Sequence, residues 1–128
     1  MRPYERWLNQ AWDDLQFARL GLEQGFHAQA CFLSRQVIEK CLKGYLVSRG
    51  RLYPKTHKLV DLLQLCGEIL QELMPLEGLF RVIDGYYIPA RYPDAAPSGG
   101  EMLPGAAQAG EAIETAEKVY ALILGRVE

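Results

Sequence analysis

Apolar residues recur at three- and four-residue intervals along almost the whole chain. In the first segment they fall at Trp7, Leu8, Ala11, Trp12, Leu15, Ala18 and Leu22. That spacing draws one stripe along a helix and predicts a first helix from about Pro3 to Gln24, opened by a proline suited to a first turn and stopped by Gly25. A second stripe, Ala28, Cys31, Phe32, Val37, Ile38, Cys41, Leu42, Tyr45 and Leu46, runs to Gly50 and predicts the most apolar, central helix. The chain must turn between Gly50 and Pro54. Thr56 then stands where a hydroxyl caps a third helix, which carries Leu59, Val60, Leu62, Leu63, Cys66 and Ile69. Pro75 separates it from a shorter segment around Leu76 to Tyr87, weakened by Gly78 and Gly85. The stretch YYIPARYPDAAPSGGEMLPG is too rich in proline and glycine for regular structure and is expected to be a loop. Helical spacing returns at Ala109, Ile113, Ala116, Val119, Tyr120 and Ile123 and ends near Gly125.

No segment alternates at period two, and no repeat or low-complexity tract is present. The expected fold is all-α, an up-and-down antiparallel bundle of four to five helices. At 128 residues the chain suits one domain, 1–128, and its 49% hydrophobic and 23% charged residues suit a globular core rather than a disordered segment. No run reaches a membrane-spanning length, and MRPYERWLNQAW lacks a signal's apolar stretch, so the expectation is a cytoplasmic protein with no membrane contact. Cys31, Cys41 and Cys66 are odd in number and widely spaced, and read as reduced, buried small residues. With only His27 and His57 beside them, no metal and no cofactor is expected.

Charge changes the picture most. Between Arg35 and Lys58 lie seven basic residues and one acid, Glu39, whereas the rest carries seven basic and fifteen acidic residues, for a net charge of −2. A basic middle in an acidic molecule attracts phosphate. Some of these cations, Lys43 and Arg49, also suit a helix C-terminus, but Lys55 and Lys58 lie beyond it.

The order of WLNQAWDDLQFARLGLEQGFHAQACFLSRQVIEKCLKGYL, KTHKLVDLL and YYIPARYPD resembles the HEPN domain family, named for higher eukaryotes and prokaryotes and for nucleotide binding. The resemblance runs along most of the chain. It implies a helical bundle of about this helix count, usually a homodimer, often paired with a small nucleotidyltransferase in a toxin–antitoxin-like arrangement, and a nucleotide or RNA role. It also implies an alternative, since many members of the wider superfamily are toxins that cleave RNA without a metal through an Arg and a His separated by four to six residues and brought together in a dimer. Here only Arg51 and His57, in RLYPKTH, meet that spacing. They lie between the second and third helices, whereas the family's pair lies near the last ones, and no histidine follows Arg91. A third reading is a protein-interaction subunit without nucleotide chemistry.

The candidate binding residues are Arg35, Lys40, Lys43, Lys55, His57, Lys58, Arg91 and Tyr92. Arg35, Glu39 and Lys43 share a helix face, either as a solvated ion-paired strip or with Lys40 and Lys43 reaching a phosphate. His57 follows the expected cap, where it either bonds the adjoining loop or contacts a ligand. Tyr86, Tyr87, Arg91 and Tyr92 either stack on bases while Arg91 binds phosphate or close one end of the bundle. No nucleophile elbow, phosphate-binding glycine loop or paired catalytic carboxylates is present, and catalytic residues are not assignable from the sequence.

Overall fold

A computed structural model describes residues 2–91 and 104–127, with side chains through residue 86 in the first of these stretches. It contains α1 (Pro3–Glu23), α2 (His27–Ser48), α3 (Leu59–Ile69), a 3-10 segment (Gln71–Leu76), α4 (Glu77–Arg91) and α5 (Ala106–Leu124). No strand occurs among the described residues, and the all-α bundle expected from the spacing is the fold. The turns after α1 and α2 are made by Gly25 and Gly50, at φ 82° and 69°, a left-handed conformation that costs glycine nothing. Such short connections return each helix alongside its predecessor.

Helix α2 is the axle, packing against α1, α3, α4 and α5. Its buried residues include Ala30, Cys31, Val37, Ile38, Cys41, Leu42, Tyr45 and Leu46. Around it lie Leu8, Leu15 and Ala18 of α1, Leu59, Leu62 and Leu63 of α3, Phe80 and Ile83 of α4, and Ile113, Val119 and Ile123 of α5. The α1 stripe is rotated from the expected one. Tyr4 and Gly21 join it, while Trp12 remains 45% exposed, tilted against Tyr120 of α5.

Two boundaries depart from the sequence reading. Thr56 does not cap α3, which starts three residues later at Leu59. Thr56 Oγ1 instead accepts from the Lys58 amide and donates to Asp61. The open amides of α3 are met from another helix: Leu59 N–H donates to Asp84 Oδ1 at 2.9 Å and Val60 N–H to Asp84 Oδ2 at 3.3 Å. A carboxylate from α4 is thus the anion at this helix's positive end. The second departure is α4 itself, which runs through Gly78, Gly85 and Pro89 to Arg91. The helix therefore takes in the first six residues of the stretch expected to be a loop, 86–91, because packing of Phe80 and Ile83 against the core outweighs weak intrinsic propensity. Tyr92 and the remainder of that expected loop up to residue 103 lie outside the described residues.

Replacing Asp84 by Ala removes both cap bonds. The substitution should lower stability by about 0.5–2 kcal/mol, read as a lower urea midpoint with an unchanged denaturant slope.

Candidate functional site

The expected solvated strip on α2 is buried. Arg35, Glu39 and Lys43 are 2%, 5% and 6% exposed, and Glu39 joins them: Arg35 Nη1 donates to Oε1 at 3.1 Å and Lys43 Nζ to Oε2 at 2.8 Å. Arg35 Nε also lies 3.7 Å from Asp84 Oδ1. Four-residue spacing explains why the three meet, and α2's central position explains why they meet away from water. A buried cation without a carboxylate would be costly, so the pairing is obligatory. Lys43 therefore serves Glu39 and does not complement the C-terminal pole of α2.

His57 completes the cluster from the loop between α2 and α3. Its Nδ1 lies 3.2 Å from Glu39 Oε2, while the ring is 69% exposed. Burial pushes the Glu39 carboxyl up, but the Lys43 bond, the charges of Lys43 and Arg35 and the His57 bond outweigh it and hold the group below its ordinary range. Lys43 Nζ is further enclosed by the rings of Trp7 and Tyr53, at 6.0 and 5.4 Å from their centroids, a favourable placement for a cation. Gly44 makes room for this: a Cβ there would stand 2.9 Å from that of Trp7.

Above the cluster opens a cavity of about 700 Å³, lined by Arg35, Lys55, Thr56, His57, Lys58, Val60, Arg81, Asp84 and Gly85. Its charged lining comes from three places: Arg35 from α2, the Lys55–Lys58 loop, and Arg81 and Asp84 from α4. Arg81 is paired with Glu77 and Asp84 with α3's amides. Lys55 and Lys58 are exposed, and neither has a carboxylate within ion-pair distance among the described residues.

The cavity thus gathers Arg35, Lys55, His57 and Lys58, with Lys43 beneath them through Glu39. Other cations diverge. Lys40 turns to α1 and bonds Asp14 at 2.6 Å. Arg49 stacks on Tyr45 and donates to the Arg126 carbonyl. Arg51 faces Glu68 at 3.9 Å, so Arg51 and His57 serve carboxylates on different helices. Arg91 ends α4, and Tyr92 lies outside the described residues. The sequence reading missed Asp84 and Arg81 as parts of this site, and nothing local marks them, since their role depends on how α4 crosses the start of α3. The burial of Arg35 and Lys43 did leave a trace: α2 has apolar residues on every side, so no fully polar face remains.

Burial raises the three thiols, Cys31 to about 11, Cys66 to about 12 and Cys41 higher still, which makes them poor nucleophiles. Among the described residues no group of three or more His, Cys, Asp or Glu is placed to hold a metal ion, and no helix is long and apolar enough to cross a membrane.

The family model of the HEPN domain matches residues 4–127. Two solved structures share the fold. The crystal structure of TT1696 from Thermus thermophilus is 34% identical, with a TM-score of 0.78 and 98% of each chain covered. That of ST0689, described as an archaeal HEPN homologue, is 29% identical, also at a TM-score of 0.78, with both chains covered completely. Comparison with curated proteins returns no match.

Removing the carboxylate from between two buried cations by Glu39→Gln should cost about 3–5 kcal/mol. Because the folded protein holds Glu39 below its unfolded value, this contribution is complete above about pH 4.3 and is lost as pH falls through the folded value. Measured in a His57→Ala background, so that no imidazole faces the carboxylate, the stability gap opened by Glu39→Gln, followed by urea unfolding from neutral to acid pH, should therefore stay constant down to that region and then close.

Proposed function

Because the chain belongs to the HEPN domain family, we propose that it is a nucleotide- or RNA-associated binding module whose anion site is the cavity between the α2–α3 loop and α4. The observation that carries this reading is the pair Lys55 and Lys58: two exposed ammonium groups at the rim of one cavity, without carboxylate partners among the described residues. Phosphate is the anion that such flexible point charges suit, and a local positive field in a molecule of net charge −2 draws it there.

The module acts as a homodimer and as the partner of a minimal nucleotidyltransferase, in a toxin–antitoxin-like pairing. Exposed Phe17 and Leu20 on α1 support an association surface, and the nucleotidyltransferase follows from the family's habit. Three buried free thiols fit a reducing, cytoplasmic setting. The ribonuclease alternative has less behind it. Arg51 and His57 have the spacing, but each is engaged by a different carboxylate.

Titration with a single-stranded oligonucleotide at rising salt tests the proposal. Affinity should fall on a log–log plot by about 0.7 per phosphate neutralised, and replacing Lys55 and Lys58 together by Ala should reduce that slope by about 1.4. Binding indifferent to salt and to both substitutions would leave a protein-interaction subunit as the better reading. Incubation with mixed RNA and a chelator addresses the other alternative: cleavage present in the parent and lost in His57→Ala would establish the nuclease.

A further inference from the structure

The two nitrogens of His57 stand in different situations. Nδ1 lies 3.2 Å from Glu39 Oε2, and a carboxylate held in its ionised form can only accept, so Nδ1 carries the hydrogen. In the neutral ring Nε2, on the opposite edge, is then a bare lone pair. His57 lines the cavity beside Lys55 and Lys58, and Nε2 has no partner among the described residues. A lone pair repels a phosphate oxygen, whereas N–H donates to it. The tautomer that Glu39 imposes therefore makes neutral His57 useless to an anion and protonated His57 a donor.

Charge balance points the same way. On α2, Arg35 and Lys43 are matched by Glu39, with Asp84 of α4 lying against Arg35. Arg81 is matched by Glu77, and Asp61 of α3 is engaged by Thr56. Lys55 and Lys58 are the remaining charges at the rim, and Tyr53 contributes a neutral ring against Lys43. Among the described residues the carboxylate that touches His57 is Glu39, and its charge is already shared with Arg35 and Lys43. An incoming anion balances a proton on His57, and the proton supplies the anion with a further donor.

Resting on the anion-binding reading of this cavity, we infer that it binds phosphodiester anions together with a proton: His57 Nε2 takes one proton from solvent and donates it in a hydrogen bond to a phosphate oxygen, while Glu39 is the positioning residue that fixes Nδ1–H. The balance is simple, one proton taken up for each anion bound, with no bond to carbon or phosphorus made or broken. The site is thereby tuned to acidity and not only to ionic strength.

The probe is a short oligothymidylate with hydroxyl groups at both ends, because its phosphodiesters keep the same charge across the range studied. At low salt its affinity should rise about tenfold from about pH 8 to about pH 5.5, as one charge-assisted hydrogen bond is gained. Calorimetry near pH 6.5 in buffers of different ionisation heat should read net proton uptake on binding. His57→Ala, a change at an exposed position that leaves no donor, should bind at every pH as the parent does at pH 8. Nitrogen-15 spectra of labelled histidine in the free protein at pH 8 should show hydrogen on Nδ1 and none on Nε2. Equal affinity at the two pH values, a rise that persists in His57→Ala, or the opposite tautomer overturns the inference while leaving the binding site standing. No binding at either pH removes the anion site itself and the inference with it.

Discussion

A glutamate carboxylate removed from water has to be satisfied where it lies, and Glu39 is satisfied by Arg35, Lys43 and His57. The two cations come from one helical turn on either side, so the helical backbone of α2 by itself brings the three side chains together. His57 lies eighteen residues further on, in the loop after α2, and reaches Glu39 because the chain turns back there. The cluster therefore couples the central helix to the loop after it. Such buried pairs add little net stability over an apolar core, but losing one member leaves uncompensated charge. What they contribute here is a fixed position for the loop that carries Lys55, His57 and Lys58.

Asp84 completes the geometry from the other side. By accepting from the Leu59 and Val60 amides and lying near Arg35, it ties α4 to both α3 and α2. This occupies the positive end of α3, which in isolation would have invited a ligand anion. The positive potential of the cavity then falls to side chains, and specifically to Lys55 and Lys58, which have no carboxylate within ion-pair distance among the described residues.

Much of the fold was legible because burial writes itself into spacing. The stripes of α1, α2, α3 and α5 place those helices within a few residues of their observed bounds, and the glycines at 25 and 50 mark the turns. The errors share one cause. Thr56 as a cap and a loop from Tyr86 are sound local readings that tertiary contacts override: Asp84, twenty-five residues away, takes the cap, and Phe80 and Ile83 hold α4 in register past Gly85. The site was legible as a charge asymmetry but not as a place. Sequence groups Arg35, Lys40, Lys43, Lys55 and Lys58 alike, whereas folding sends Lys40 to Asp14, buries Arg35 and Lys43, and leaves only Lys55 and Lys58 of these five exposed at the cavity.

That sorting divides the cations by their work. Arg35 and Lys43 sit in a low-dielectric environment where each is worth most to a fixed partner, so they hold shape and are poor candidates to exchange Glu39 for a passing phosphate. Lys55 and Lys58 sit in water, where a lysine keeps its conformational freedom and its charge is screened. Point charges on flexible stems of this kind adapt to many geometries and impose little of their own. Among the described residues of this site, His57 alone belongs to both sets, with one nitrogen against the buried carboxylate and the other edge in the open cavity. That ring therefore relates the rigid interior to the solvent-facing rim, and a change at either end of it is felt at the other.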